Sequence, residues 1–318
     1  MKRAFLSLFA LVILAGCTSQ MPIQPESNRG FSLSPKSYNQ SDFLGFFEKV
    51  KGGYLSWAGD WFTLKDENGA HMVVNKLASQ YDFTPITILN FYSQETDTLN
   101  RPFTSKNLAD YKLSAIDFAQ KNQPKYLGIG IEVNILAEIL PQDFETYVTL
   151  YNEVYDAIKN VSPNTQVFPI FQLERMKGLK GGLFGGENDP TQSEWELVSR
   201  FKHDLVAFTT YPFLVYKNPS EIPLDYYADV DKRFSEPIAF VEVGWPGDMK
   251  IQGWESNSTE QAEFIKVFLN QTHDRNIEFA IWSFMYDQNY QKPFDTIGLF
   301  SKEGNQRPGY DLWSWNHV

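Results

Sequence analysis

Sulfur and positive charge are scarce in this sequence. Its 318 residues include one cysteine, Cys17, which excludes a disulfide framework and a thiolate metal cluster. The four histidines, His71, His203, His273 and His317, are scattered and form no HExxH pair, so no metal and no other cofactor is implied. Lys and Arg number 28 against 39 Asp and Glu, a net charge of −11. A nucleic-acid binder needs a basic face, so that class of partner is excluded, and the same acidity disfavours polyanionic substrates. Glycine signatures of nucleotide binding are missing too. There is no GxGxxG, and the stretch 177–188, KGLKGGLFGGEN, lacks the GxxxxGK(S/T) order of a phosphate loop. It reads as a mobile loop over a cleft. What the chain does have is apolar and aromatic bulk. At 42% hydrophobic and 21% charged it is globular, and its aromatic content of 16%, with eight Trp, is high.

Lys2 and Arg3 form a short positive region, and residues 4–15 are apolar or small except for Ser7. That run is too short to span a bilayer and suits the core of a signal peptide. Leu14-Ala15-Gly16-Cys17 is similar to a bacterial lipobox, which implies cleavage before Cys17 and lipid on its sulfur and new amino group. Acyl chains contribute about 0.8 kcal/mol per buried CH2, so several of them anchor firmly. The expected organisation is a signal peptide over 1–16, lipidated Cys17 with a polar tether over 17–29, and one domain over 30–318. The expected protein is a monomer held on the cell envelope by a membrane anchor at Cys17. Thr18, in place of Asp, resembles the outer-membrane sorting of Gram-negative lipoproteins.

Short apolar runs then alternate with amphipathic segments. The predicted strands are 31–35, 53–61, 85–93, 125–134, 166–174, 204–212, 237–245 and 277–287. Most are continuous hydrophobic runs, as expected of parallel strands buried on both faces. Helical spacing marks 41–51, 69–81, 104–123, 142–160, 193–201, 219–234 and 259–275, and Ser258 with Gln261 reads as a capping box for the last. Eight alternating units predict a single (β/α)8 TIM barrel.

In such a barrel the C-terminal strand ends build the active site. Those ends carry Trp57, Asp60 and Trp61, then Asn90, Glu132 and Asn134, then Glu174, Tyr211, Glu242 and Trp245, and finally Trp282. Carboxylates, amides and indoles dominate, and no serine, histidine or cysteine nucleophile set is present. On strand four, Gly128, Gly130 and Glu132 share one face by strand parity, opposite Ile129 and Ile131. Glu242 ends the apolar run Ile238–Val241; an ionised carboxylate there is costly unless paired or functional. Two glutamates facing each other across a barrel mouth are what glycoside hydrolysis requires. The tryptophans, with Trp254 in the following loop, suit a sugar cleft.

Gly130-Ile131-Glu132-Val133-Asn134 resembles the strand-four motif of clan A glycoside hydrolases, and Val241-Glu242-Val243-Gly244-Trp245-Pro246 their strand-seven nucleophile motif. The latter is similar to that of endo-β-1,3-glucanases, and Thr210-Tyr211-Pro212-Phe213 is similar to strand six of arabinogalactan endo-β-1,4-galactosidases. The resemblance implies that Glu132 is the general acid/base and Glu242 the nucleophile of a retaining enzyme. It implies that Tyr211 bonds the nucleophile and that Trp282 floors the subsite of the reacting sugar. Asp60 and Glu174 are then hydroxyl binders. The substrate class is a neutral β-linked polysaccharide or oligosaccharide, of β-galactan or β-glucan type. The resemblance departs at Ile131, where the family has an Asn that binds the 2-hydroxyl. Asn134 is a replacement donor for it. The alternative is a weak or inactive barrel that serves as a carbohydrate-binding or envelope lipoprotein.

Overall fold

The computed structural model describes residues 27–93 and 96–314. Cys17, the signal peptide and the tether up to residue 26 lie outside the described residues. Eight strands form one parallel sheet: β1 Arg29–Ser32, β2 Tyr54–Asp60, β3 Thr84–Asn90, β4 Tyr126–Ile129, β5 in two pieces (Gln166–Phe168 and Ile170–Gln172), β6 Val206–Thr210, β7 Ile238–Val243 and β8 Ile277–Trp282. β8 pairs with β1. The first piece of β5 pairs with β4 and the second with β6. The sheet therefore closes through a strand interrupted at Pro169, which has no N–H to give to a ladder. This is the (β/α)8 barrel that the alternation predicts. Each predicted strand overlaps an observed one, and the observed strands stop earlier, where the site-bearing loops begin.

The principal helices are α1 Gln40–Val50, α2 Ala70–Tyr81, α3 Ser105–Asn122, α4 Val133–Ile139, α5 Pro141–Val161, α6 Ser258–Thr272 and α7 Pro308–Trp313. In α5 the residues at three-four spacing, Phe144, Tyr147, Val148, Tyr151, Val154 and Ile158, are buried, together with Leu150. Three expectations need correction. The segment 219–234 holds only a 3-10 turn, Pro219–Glu221, and one helical turn, Ala228–Asp231. Pro219 and Pro223 lack N–H groups and bias their predecessors away from the helical region. Tyr227 fills the space instead, edge-on to Phe240 and Phe268 at 5.4 and 5.0 Å. The segment 193–201 is a 3-10 helix, Trp195–Arg200. The cap of α6 is Asn257, whose side chain accepts from the N–H groups of Thr259 and Glu260. Gln261 is buried and donates to the carbonyls of Trp245, Ile297 and Gly298, so it ties α6 to the loops after β7 and β8.

Two apolar layers hold the barrel. Tyr54, Ile86, Ile88, Phe168, Ile170 and Phe279 are among the side chains that fill its interior, and a larger layer lies between sheet and helices. Strand parity fails at the end of β4. Gly130 has φ +85°. Its N–H still bonds Leu89 O, at 2.8 Å, and its carbonyl accepts from Ile170 N–H, at 3.1 Å. A Cβ at Gly130 would run into Tyr147 Oη, Phe91 and Val133 on the outer side, where Tyr147 stacks on Phe91 at 4.0 Å and donates to Ile129 O at 2.8 Å. Past this kink Ile131 joins the interior layer, so Ile131 and Glu132 line the same cavity instead of facing opposite ways. Gly130→Ala should lower unfolding free energy by about 2 kcal/mol, from strain and the aromatic clash together, measured by urea denaturation. Gly45→Ala, in α1 with nothing near its Cβ position, should not.

Candidate active site

One cavity of about 380 Å³ opens at the C-terminal ends of the strands, within the size range of small-molecule sites. Trp57, Asp60, Asn90, Glu132, Tyr211 and Glu242 line it, all six from strand-end positions singled out in the sequence. No Lys, Arg or His is among its lining residues. Among the described residues no group of His, Cys, Asp and Glu is arranged to hold a metal ion.

Glu132 sits at the N-cap of α4 with φ +54° and makes no side-chain cap bond. A non-glycine residue in this region is strained, and such strain gathers at functional sites. Its side chain turns to the cavity, where Thr209 Oγ1 donates to Oε1 at 2.7 Å. Burial pushes its carboxyl up to about 7, and the nearby Glu242 charge pushes the same way against the Thr209 bond. Glu242 owes its aim to an irregularity in β7. Pairing to β6 runs Phe240 to Phe208 and then Glu242 to Thr209, skipping a residue. The bulge lets Val241 fill the barrel interior while Glu242, next in the chain, lines the cavity. Tyr211 Oη donates to Glu242 Oε2 at 2.6 Å. Burial raises the Glu242 carboxyl, and this bond opposes the rise.

The other lining residues are held by short-range devices. The Trp57 indole lies over Gly59, where any Cβ would strike it. Its ring centroid is 5.1 Å from that of buried His71, whose pKa burial lowers. Asp60 accepts from Phe62 N–H at 3.0 Å, capping the 3-10 helix Trp61–Lys65, and pairs with Arg101. Asn90 Oδ1 accepts from Tyr92 N–H at 3.1 Å.

The remaining sequence candidates lie away from the lining. Trp61 is buried edge-on to Tyr111 at 5.3 Å. Trp245 is fully buried, stacked on Phe264 at 5.2 Å, with Nε1 bonded to Ser256 Oγ. Trp282 is fully buried beside Trp313 at 5.3 Å, with Nε1 bonded to Ile297 O. These three indoles belong to the layer between sheet and helices, so they cannot floor a sugar subsite. Asn134 exchanges hydrogen bonds with the Gln172 backbone and clasps α4 to β5; it is no replacement donor. Glu174 is fully buried behind the site, where Gln172, Thr210, Tyr226 and the Tyr211 N–H donate to it. Trp254 donates to Phe213 O at 2.6 Å. The stretch 177–188 adds no lining residue; its Gly182 packs against Leu214 O and Trp254.

The sequence reading missed the walls from β1 and β8: Ser32, Leu33, Tyr38, Ser283, Phe284, Tyr290, Gln291 and Phe294. Only Ser283 carried a signal, since it stands one parity step past Trp282. Tyr38 and Tyr290 are 70% and 52% exposed at the rim. The loop that bears Tyr290, Gln291 and Phe294 is clasped at its base by Arg307. That guanidinium bonds both Asp287 oxygens, at 2.7 and 2.8 Å, and the carbonyls of Thr296 and Gly298.

No family model matches the sequence, and no curated protein matches it. Solved structures are. The GH53 catalytic domain of Ignisphaera aggregans is 13% identical, with a TM-score of 0.59 over 93% of this chain and 97% of that one. A GH5_18 protein of Streptomyces cattleya, solved with Manβ1-4GlcNAc, is 12% identical, with a TM-score of 0.63 over 89% of this chain and 78% of that one. An exo-β-1,4-mannosidase from Opitutaceae bacterium strain TAV5 is 12% identical, with a TM-score of 0.62 over 92% of this chain and 58% of that one. At such identities the likeness establishes the barrel fold, which this chain shares with clan A glycoside hydrolases.

Proposed function

We propose that the protein is a lipid-anchored retaining glycoside hydrolase acting on neutral β-linked polysaccharide or oligosaccharide. The observation that carries this reading is one cavity holding two buried carboxyls with unlike partners. Burial raises both: the Glu242 charge adds to the rise of Glu132, pushed up to about 7, whereas the rise of Glu242 is opposed by the hydrogen bond it accepts from Tyr211 Oη. Environments that separate two carboxyls in this way assign an acid and a nucleophile. Glu132 gives its proton to the glycosidic oxygen as the bond to the anomeric carbon breaks, and Glu242 attacks that carbon to form a glycosyl ester. Glu132, now a carboxylate, takes a proton from water as the water attacks the same carbon and releases Glu242. A retaining enzyme needs the two carboxyls roughly 5–5.5 Å apart.

The lining favours an uncharged sugar, because it offers no cation to a uronate. Trp57, Tyr38 and Tyr290 bring aromatic side chains to the lining. The likeness to a mannosidase and to a protein solved with Manβ1-4GlcNAc is consistent with a β-glycan. Ile131, an apolar wall beside Glu132, favours a second reading as a carbohydrate-binding lipoprotein without turnover. Incubation of residues 21–318 with β-galactans, β-glucans, β-mannans and aryl β-glycosides separates the two. Release of β-configured sugar in the first turnovers, followed by NMR, is the expected result. Sugar binding without release would establish the second reading. The anchor is tested separately, by metabolic labelling of the full chain and of Cys17→Ala with a clickable fatty acid.

A further inference from the structure

Tyr211 Oη touches two groups, Glu242 Oε2 at 2.6 Å and Ser283 Oγ at 2.9 Å. A phenol has one proton. If it went to Ser283, Glu242 would lose the hydrogen bond that opposes its burial. Ser283 has its own choice, because its hydroxyl also lies 3.1 Å from Val243 O. That carbonyl already accepts the Ser283 backbone N–H at 3.0 Å, so it is served without the hydroxyl. Ser283 is itself held still: it is 3% exposed, follows β8, and its carbonyl accepts from Ser32 Oγ.

We propose that Ser283 is a positioning residue that gives its hydroxyl proton to Tyr211 and so makes Tyr211 a one-way donor to Glu242. The chain of donation runs from Ser283 to Tyr211 to Glu242, and while Glu242 is ionised neither donation can reverse without leaving one oxygen facing another with no proton between them. A phenol that accepts a hydrogen bond is a stronger donor, so the serine strengthens the bond to the carboxylate it does not touch. This rests on the hydrolase reading, in which Glu242 must be ionised to attack, but the device itself is a property of the resting protein. The other titratable groups that line the cavity with Glu242 are Glu132 from the end of β4, Asp60 from the end of β2, Tyr38 from the loop after β1 and Tyr290 from the loop after β8, with Glu174 behind Tyr211. None of them bonds Ser283.

The test is a 13C NMR titration of glutamate carboxyls in residues 21–318, with the Glu242 signal assigned by its loss in Glu242→Gln. Ser283→Ala should raise the Glu242 titration midpoint by roughly half a pH unit, and Ser283→Thr, which keeps the hydroxyl, should leave it unchanged. Tyr211→Phe should raise it further, and Ser283→Ala in that background should add nothing. The proposal is overturned if Ser283→Ala leaves the midpoint unmoved, if Thr shifts it as Ala does, or if the Ala shift persists in Tyr211→Phe. Because the readout needs no substrate, absence of hydrolysis on every glycan would overturn the hydrolase reading and leave this result standing.

Discussion

Glu242→Gln should lower kcat on the best glycan by at least a thousandfold, a loss of about 4 kcal/mol of transition-state stabilisation. An amide cannot form the glycosyl ester, and among the described residues the cavity's other carboxyls are engaged elsewhere, Glu132 as the proton donor. Asp60 is committed to its cap and to Arg101. Glu174 is enclosed by its own donors outside the lining. The fold should survive, since the amide oxygen still accepts from Tyr211 and the buried carboxyl that it replaces is an unfavourable group. Activity loss with an unchanged melting curve is therefore the expected pair of results. Glu242→Gly with added azide supplies the converse: a small anion in the vacated space should restore turnover of an aryl β-glycoside and give the α-azide product. A variant that retains a tenth of wild-type turnover would remove Glu242 from the chemistry.

Glu132→Gln should divide substrates by their leaving group. Natural glycans need the proton and should lose about a thousandfold in kcat. Nitrophenyl glycosides need little help to depart, so their first step should survive while release of the glycosyl ester slows, and a burst of nitrophenol should appear. The wild-type profile should fall on the alkaline side near pH 7, where Glu132 loses its proton; in the variant that limb should vanish. Stability moves the opposite way. Burial pushes the carboxyl up to about 7 in the folded state, against 4.5 unperturbed. The folded state thus holds the proton more tightly, and this contribution is complete below pH 4.5 and lost as pH rises through 7. Above that, wild type carries a buried charge that Gln does not. Glu132→Gln should therefore be more stable than wild type at pH 8, by about 3 kcal/mol, and the advantage should disappear near pH 4. Thermal denaturation at the two pH values measures it.

The barrel was legible because its signal is repeated eight times and needs only the alternation of buried strands with amphipathic helices. The two glutamates were legible for a related reason: a carboxylate closing an apolar run is conspicuous. The tryptophans were misread because position along a strand says how high a residue sits, not which side it faces. Trp61, Trp245 and Trp282 stand at the right height and point outward. Parity would have sorted them only where strands are regular, and this sheet is irregular at Gly130 and at the bulge before Glu242. Both irregularities place consecutive residues on the inner side, which no period-two pattern anticipates. The walls after β1 and β8 come from loops without any period, so Tyr38 and Tyr290 left no trace of their role in the sequence.

The Arg307 clasp sets an order of assembly. Every side chain that lines the cavity precedes Arg307 in the chain, and the loop carrying Tyr290, Gln291 and Phe294 is fastened through it to Asp287. In a polypeptide made from its N-terminus both glutamates emerge before the residue that fixes this wall. The side chain that fastens the wall is the last contributor to the site to be synthesised.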